Sequence, residues 1–258
     1  MLDKALIARV GKQAWYQRFP RALPLGLFAI ICFMTMLGVY FIERANEQSR
    51  TLALDRSATE IASALQRRAA TNIAYLRAGA ALFEAPDETE VSVFRNFVKE
   101  LHLDQNYRGA QGIGWAKKVD AANVEATQIE GATSLSRIWP RLAAGQPFAI
   151  PVTYLEPETP ANARALGYDM YSEPTRRMAM DSAARLDRPV TSGKVILVQE
   201  NGVNQQAGFL IYMPVFDRAQ PGTTRLRGYV YSAFRAQDVL QSASDLYNVS
   251  GIGLALYD

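Results

Sequence analysis

From Leu23 to Ile42 the chain carries no charged side chain. The run includes Leu25, Leu27, Phe28, Ile30, Ile31, Phe33, Met34, Met36, Leu37, Val39 and Phe41. A helix of about 20 residues, rising ~1.5 Å per residue, spans a hydrocarbon layer of ~30 Å. A run apolar on every face has no polar side to show water, which argues against a core helix. It is long for a signal peptide, and Glu43-Arg44-Ala45-Asn46-Glu47 offers no small-x-small cleavage pair. The expected element is an uncleaved membrane anchor over 23–42. Pro24 suits its first turn and Tyr40 the far interface.

Charge orients the anchor. Residues 1–22 hold Lys4, Arg9, Lys12, Arg18 and Arg21 against Asp3 alone, while the whole chain carries +3. The high pI of 9.0 therefore comes from a tail and not from a basic domain. A nucleic-acid partner requires a basic face on the folded part, so none is expected. The tail should remain cytoplasmic by the positive-inside rule. Residues from Glu43 onward then lie outside a bacterial inner membrane, in the periplasm. Trp15 and Phe19, among basic residues, suit a tail lying along the bilayer; an unstructured basic tail suits the composition equally.

Cys32, in the apolar run, is the single cysteine, and His102 is the single histidine. No intrachain disulfide is possible. Without a Cys/His cluster, no metal site and no cofactor is expected. Nucleophilic catalysis requires a base beside a nucleophile, and His102 sits in a polar turn. No Gly-x-Ser-x-Gly elbow and no phosphate-binding glycine loop occurs. Glu156 and Glu158, which bracket Pro157, with Asp169 and Glu173 nearby, are the residues a carboxylate-pair hydrolase would use. Loop solvation is the plainer account, and no catalytic residue is expected.

The segment 43–84 reads as one long helix. Leu54, Ala58, Ile61, Leu65, Ala69, Leu76, Ala80 and Phe83 recur at steps of mostly three and four. Such a stripe either packs on its own domain or pairs with a second copy as a stalk. Beyond it, Asp87-Glu88-Thr89-Glu90 resembles a capped helix start, followed by Phe94, Phe97, Val98 and Leu101. Residues 109–119 read as a strand around Trp115, 120–131 as a short polar helix, and 137–140 and 148–155 as strands. Residues 162–166 read as a turn or short helix, and Pro174 starts a helix to Leu186. Strands follow over 190–199, 208–216 and 227–234, with Asn201-Gly202 and Pro221-Gly222 as turns. A helix over 238–247 and a strand over 251–257 complete the pattern. Helices alternating with hairpin-linked strands argue an α+β fold with largely antiparallel sheets.

A specific order of segments carries more. Gly112-Ile113-Gly114-Trp115-Ala116-Lys117-Lys118-Val119 comes first, and then Asn162 to Met180, which contains Gly167-Tyr168-Asp169-Met170-Tyr171-Ser172-Glu173-Pro174. Thr191-Ser192, the apolar run 195–198, the strand 208–216 and Gly228-Tyr229-Val230-Tyr231-Ser232-Ala233-Phe234-Arg235 follow. In this order, after one membrane helix, residues 75–258 resemble a CHASE domain, the extracytoplasmic sensory module of receptor histidine kinases and nucleotide cyclases. The resemblance implies two PAS-like units on a long helix, the membrane-distal one binding ligand. It implies a division into tail (1–22), anchor (23–42), stalk (43–84) and periplasmic sensory domain (85–258). It also implies further residues, a second membrane helix and an output domain after Asp258, where a strand breaks off.

The candidate site follows from both readings. Small-molecule sites are mostly apolar with a few placed polar groups. Tyr154, Tyr168, Val190, Thr191, Leu210, Tyr212 and Met213 lie on expected strands or the loop feeding them, with Asp169 as the polar candidate. In plant cytokinin receptors of the family, an aspartate in the place of Asp169 anchors the ligand's ring nitrogens. Val190 lines up with a strand position facing that ligand, while Met213 stands where those receptors have an aromatic wall. Asp169 as a helix cap, or as a partner of Arg176 or Arg177, is the alternative. Arg164, Arg176, Arg177 and Arg185 are candidates for an anion, with pairing to Asp181 and Asp187 as the plainer outcome. The expected partners are a small-molecule ligand of unassigned identity, the lipid bilayer and a second copy, giving a homodimer through the stalk.

Overall fold

The computed structural model describes residues 22–84, 89–102, 110–130, 135–200, 207–217 and 224–245. Helix α1 runs Ala22–Glu84. The chain divides into two units, Met1–Thr59 and Glu60–Asp258. In the first, Pro24–Ser49 is long and apolar enough to cross a membrane, with mean hydropathy 2.4 and none of it buried. Thr35 donates its hydroxyl to the Ile31 carbonyl at 2.8 Å, so even this polar group is satisfied within the helix.

The second unit is built on one antiparallel sheet. Its strands are β1 (Ala110–Lys117), β6 (Val152–Glu156), β7 (Val190–Thr191), β8 (Val195–Ile196), β9 (Ala207–Asp217) and β10 (Arg225–Arg235), in the order β6-β1-β10-β9-β7, with β8 also pairing β9. Short pairs join β2 (Val119–Asp120) to β5 (Phe148–Ala149) and β3 (Gln128–Glu130) to β4 (Leu135–Arg137). Helices α2 (Val91–Glu100), α3 (Pro160–Ala163), α4 (Pro174–Leu186) and α5 (Ala236–Asp245) complete the described elements.

Both faces of the sheet are buried. On one, Leu76, Ala80 and Phe83 of α1 and Phe94 and Val98 of α2 pack on Ile113, Trp115, Ile211, Val215, Val230 and Phe234. On the other, Ala179, Met180 and Ala183 of α4 pack on Leu210, Tyr212, Tyr229 and Tyr231. Successive side chains of a strand point to opposite faces, so the two clusters interleave along β9 and β10. The stripe on α1 therefore packs on its own sheet from Leu76 to Phe83; Ile61 is also buried, whereas Ala58 and Ala69 of the same expected stripe are exposed. Asn72, buried in this face, donates to Ser232 Oγ at 3.2 Å, and that hydroxyl donates onward to the Gly112 carbonyl.

Several local expectations are corrected. The polar helix at 120–131 is a single 3-10 turn, Ala121–Asn123, followed by strand β3. The strand at 190–199 is two short pieces. Between them Ser192 Oγ takes the Leu210 N–H, and the regular ladder stops. The strand at 148–155 is broken at Ile150-Pro151. Helix α2 begins at Val91 after Glu90, whose side chain makes no cap bond; Asp87 and Glu88 fall outside the described residues. So do Asn201-Gly202, Pro221-Gly222 and the strand at 251–257. The described residues contain one six-stranded sheet and two two-stranded pairs, where the family resemblance implies two PAS-like units.

Candidate functional site

The loop leading into α4 is where sequence and geometry meet. Gly167 adopts φ +81°, and a Cβ there would lie 2.3 Å from the Arg137 carbonyl oxygen, so only glycine fits. Its carbonyl accepts the Trp139 N–H, and its N–H reaches the Val152 carbonyl. Tyr168 then emerges half-buried against Trp139, and Asp169 is fully buried. The Asp169 carboxylate accepts from the Ile150 N–H at 2.8 Å, the Tyr171 N–H at 3.1 Å and Gln146 Nε2 at 2.8 Å. It thus caps the 3-10 turn Met170–Ser172 and ties the loop to the segment before β6. Three of a carboxylate's about four acceptor positions are occupied. Glu173 caps α4, accepting from Thr175 N and Arg176 N.

The sheet sorts the other candidates. Val190 pairs with Tyr212 on β9, and both pack with Tyr168 into the cluster beneath α4. Leu210 belongs to the same cluster. Thr191 pairs with Ile211 and is exposed; Tyr154 and Met213 join the cluster beneath α1. The eight residues expected in one site thus divide: Asp169, Tyr168, Val190, Leu210 and Tyr212 on one face, and Tyr154, Thr191 and Met213 on the other. Two cavities, of about 460 and 310 Å³, both touch Tyr154 and touch none of the α4-face candidates.

The α4 face holds polar groups that sequence reading placed elsewhere. The buried stripe of α4 is Arg176, Ala179, Met180 and Ala183, while Met178 and Leu186 are exposed. Arg176 fits the i, i+3, i+4, i+7 spacing of that stripe, which is the signal that marks it. Rather than pairing with Asp181 or Asp187, it donates from Nη2 to the Ile196 carbonyl at 2.7 Å and lies under the Tyr168 ring, 5.0 Å from its centre. Asp181 accepts from the Tyr171 hydroxyl; burial and that bond push the Tyr171 phenol up to about 12. The Tyr229 hydroxyl donates to the Met180 carbonyl at 2.9 Å. Tyr231 lies across Gly114, where a Cβ would come 2.4 Å from its Cζ. Burial raises the Tyr212 and Tyr231 phenols far above their ordinary range, and the Arg176 charge acts in the opposite direction on both.

The carboxylates considered for hydrolysis have a structural partner. Arg95 of α2 donates from Nε to Glu156 at 2.9 Å and from Nη2 to Glu158 at 3.1 Å, clasping α2 to the end of β6. Among the described residues no group of three His, Cys, Asp or Glu side chains is placed to hold a metal ion.

Comparison with known proteins adds the family. The chain is similar in structure to the ligand-binding domain of the Pseudomonas aeruginosa PAO1 amino acid chemoreceptor PctC in complex with GABA, at 13% identity and a TM-score of 0.44; the match covers 74% of this chain and 65% of that one. It is also similar to an extracellular ligand binding receptor from Desulfohalobium retbaense, at 14% identity and a TM-score of 0.39, over 69% of this chain and 25% of that one. The chain thus spans less than two thirds of the length of either. A comparison with curated protein sequences finds no match. The CHASE domain profile matches residues 87–258, about two thirds of the chain and all of the sheet. On that match, the chain belongs to the CHASE domain family.

Proposed function

We propose that this chain is the membrane-anchored, extracytoplasmic sensory part of a signalling receptor and binds a small molecule on the α4 face of its sheet. The observation that carries this reading is the CHASE match over 87–258, following one fully exposed apolar helix. A CHASE domain is sensory and not catalytic. The basic tail supports a cytoplasmic N-terminus and a periplasmic domain in a bacterial inner membrane. The six-stranded sheet serves as the ligand-binding one of two PAS-like units. A histidine kinase, diguanylate cyclase or cyclic-di-GMP phosphodiesterase is the output that fits such a sensor.

Asp169, Tyr168, Val190 and Tyr212 form the ligand side of the site in this reading. Tyr154, Thr191 and Met213 belong to the face that meets α1. A ligand shifts a receptor only through its different affinities for two states. Binding between α4 and the sheet changes the α4 face, and β9 and β10 carry that change to α1 through their opposite face. A second copy pairs along the exposed remainder of the α1 stripe.

The test is a thermal-shift screen of the full chain in detergent against purines, amino acids and other small metabolites. A specific binder raises the midpoint by mass action. Tyr168→Ala, at a half-buried position, should abolish the shift while the fold stays intact. A well-folded chain unmoved by the whole library sinks the sensory reading in favour of a partner-binding module.

A further inference from the structure

The α4 face contains a surplus of buried donors. Arg176 is 3% exposed, and its Nε has no hydrogen-bond partner. No ion pair among the described residues includes it. The Tyr231 hydroxyl, in a residue 1% exposed, also has no partner. The Tyr212 hydroxyl, fully buried, reaches only the thioether of Met170, at 3.7 Å. A thioether is a weak acceptor. The Glu173 carboxylate feels the Arg176 charge but forms no direct ion pair with it, and a buried cation without a direct partner is costly for a core to hold.

The acceptors nearby are engaged. Asp169 is held by the Ile150 and Tyr171 N–H groups and by Gln146. Glu173 is held by the two N–H groups it caps. What the face lacks is an acceptor for Arg176 Nε and the Tyr231 hydroxyl. The surroundings are apolar, including Leu166, Met170, Met180 and Leu197.

We propose that Arg176 Nε, with the hydroxyls of Tyr231 and Tyr212, anchors a carboxylate on the sensed molecule, whose remaining part is largely apolar. The inference rests on the sensory reading and names the chemical class of its ligand. The carboxylate accepts from Nε and from the phenols, and it supplies the direct ion pair that the guanidinium does not make among the described residues. Tyr168 covers the guanidinium and remains beside the bound ligand. No covalent step is involved.

The test uses the full chain in detergent and matched probes: benzoate against benzamide, phenylacetate against phenylacetamide, and hexanoate against hexanamide, each at millimolar concentration. At least one acid should raise the thermal midpoint by several degrees, and its amide should not. Arg176→Met should abolish that response. Without probe, the variant's midpoint should equal or exceed that of the wild type, because an unpaired buried charge has been removed. Tyr231→Phe should weaken the acid about tenfold, as expected for a lost hydrogen bond to a charged group. Equal shifts from acid and amide, or no shift from any acid, overturn the assignment. So does an Arg176→Met variant that keeps the response, or one that melts several degrees lower without probe, since the guanidinium is then structural. The sensory reading survives all of these unless the wider metabolite screen also finds nothing.

Discussion

Phe83 of α1 stacks flat on Trp115 of β1, with ring centres 4.1 Å apart and planes 8° from parallel. Both side chains are buried, and Phe94 and Tyr154 close around Phe83. This contact joins the end of the long helix to the strand at the heart of the sheet. Tyr231, across Gly114 on the opposite face, lies on the strand paired with that same β1.

Phe83→Ala removes the stack and leaves a cavity between α1 and β1. It should cost about 3–5 kcal/mol of stability, the range for large aromatic truncations in cores. Chemical denaturation of the full chain measures this. A loss near that of an exposed Leu52→Ala control would show that the helix end is not part of the core.

Glu173 gives the chain an acid-sensitive element. Burial alone would raise its carboxyl, but the N–H groups of Thr175 and Arg176, together with the Arg176 charge, outweigh it and hold the group below its ordinary 4.5. A lowered folded value contributes stability that is present above the ordinary value and lost as pH falls through the folded one. Glu173→Ala should therefore cost about 1 kcal/mol at neutral pH, as a lost helix cap does, and progressively less in acid. Thermal midpoints of the two proteins that stay parallel down the acid limb would contradict this.

The exposed part of the α1 stripe tests the stalk. In a Cys32→Ser background, Ala69→Cys should form a disulfide-linked dimer under mild oxidation. Leu76→Cys should not, because Leu76 is fully buried in its own domain. Non-reducing electrophoresis reads the result, and an Ala69→Cys chain that stays monomeric speaks against pairing along this face.

Much of the architecture was legible where local rules and tertiary packing agree. The strands expected at 208–216 and 227–234 appear as Ala207–Asp217 and Arg225–Arg235, and the helix expected from Pro174 to Leu186 is found with those bounds. The polar helix at 120–131 was not, since a polar stretch with no apolar stripe has nothing to stabilise a helix beyond one turn. The site was partly legible. Period-two alternation already separates Tyr212 from Met213 on one strand, but both faces of β9 are apolar, so composition did not show which face each joins. Arg176 reads as a surface arginine by type and as a core position by spacing, and the spacing prevailed.

By itself the sequence determined one uncharged helix of membrane-spanning length, an antiparallel α+β domain after it, and the ordered segments that mark a CHASE domain. These are properties of residues close together in the chain. Only the tertiary structure decided that the α1 stripe is used up on its own sheet from Leu76 to Phe83. It alone divided the candidate residues between two faces, gave Glu156 and Glu158 to Arg95, and left Arg176 and Tyr231 as buried donors. Each of these turns on which distant groups meet, and a buried group's partners are chosen by packing across the sheet rather than by its neighbours in sequence.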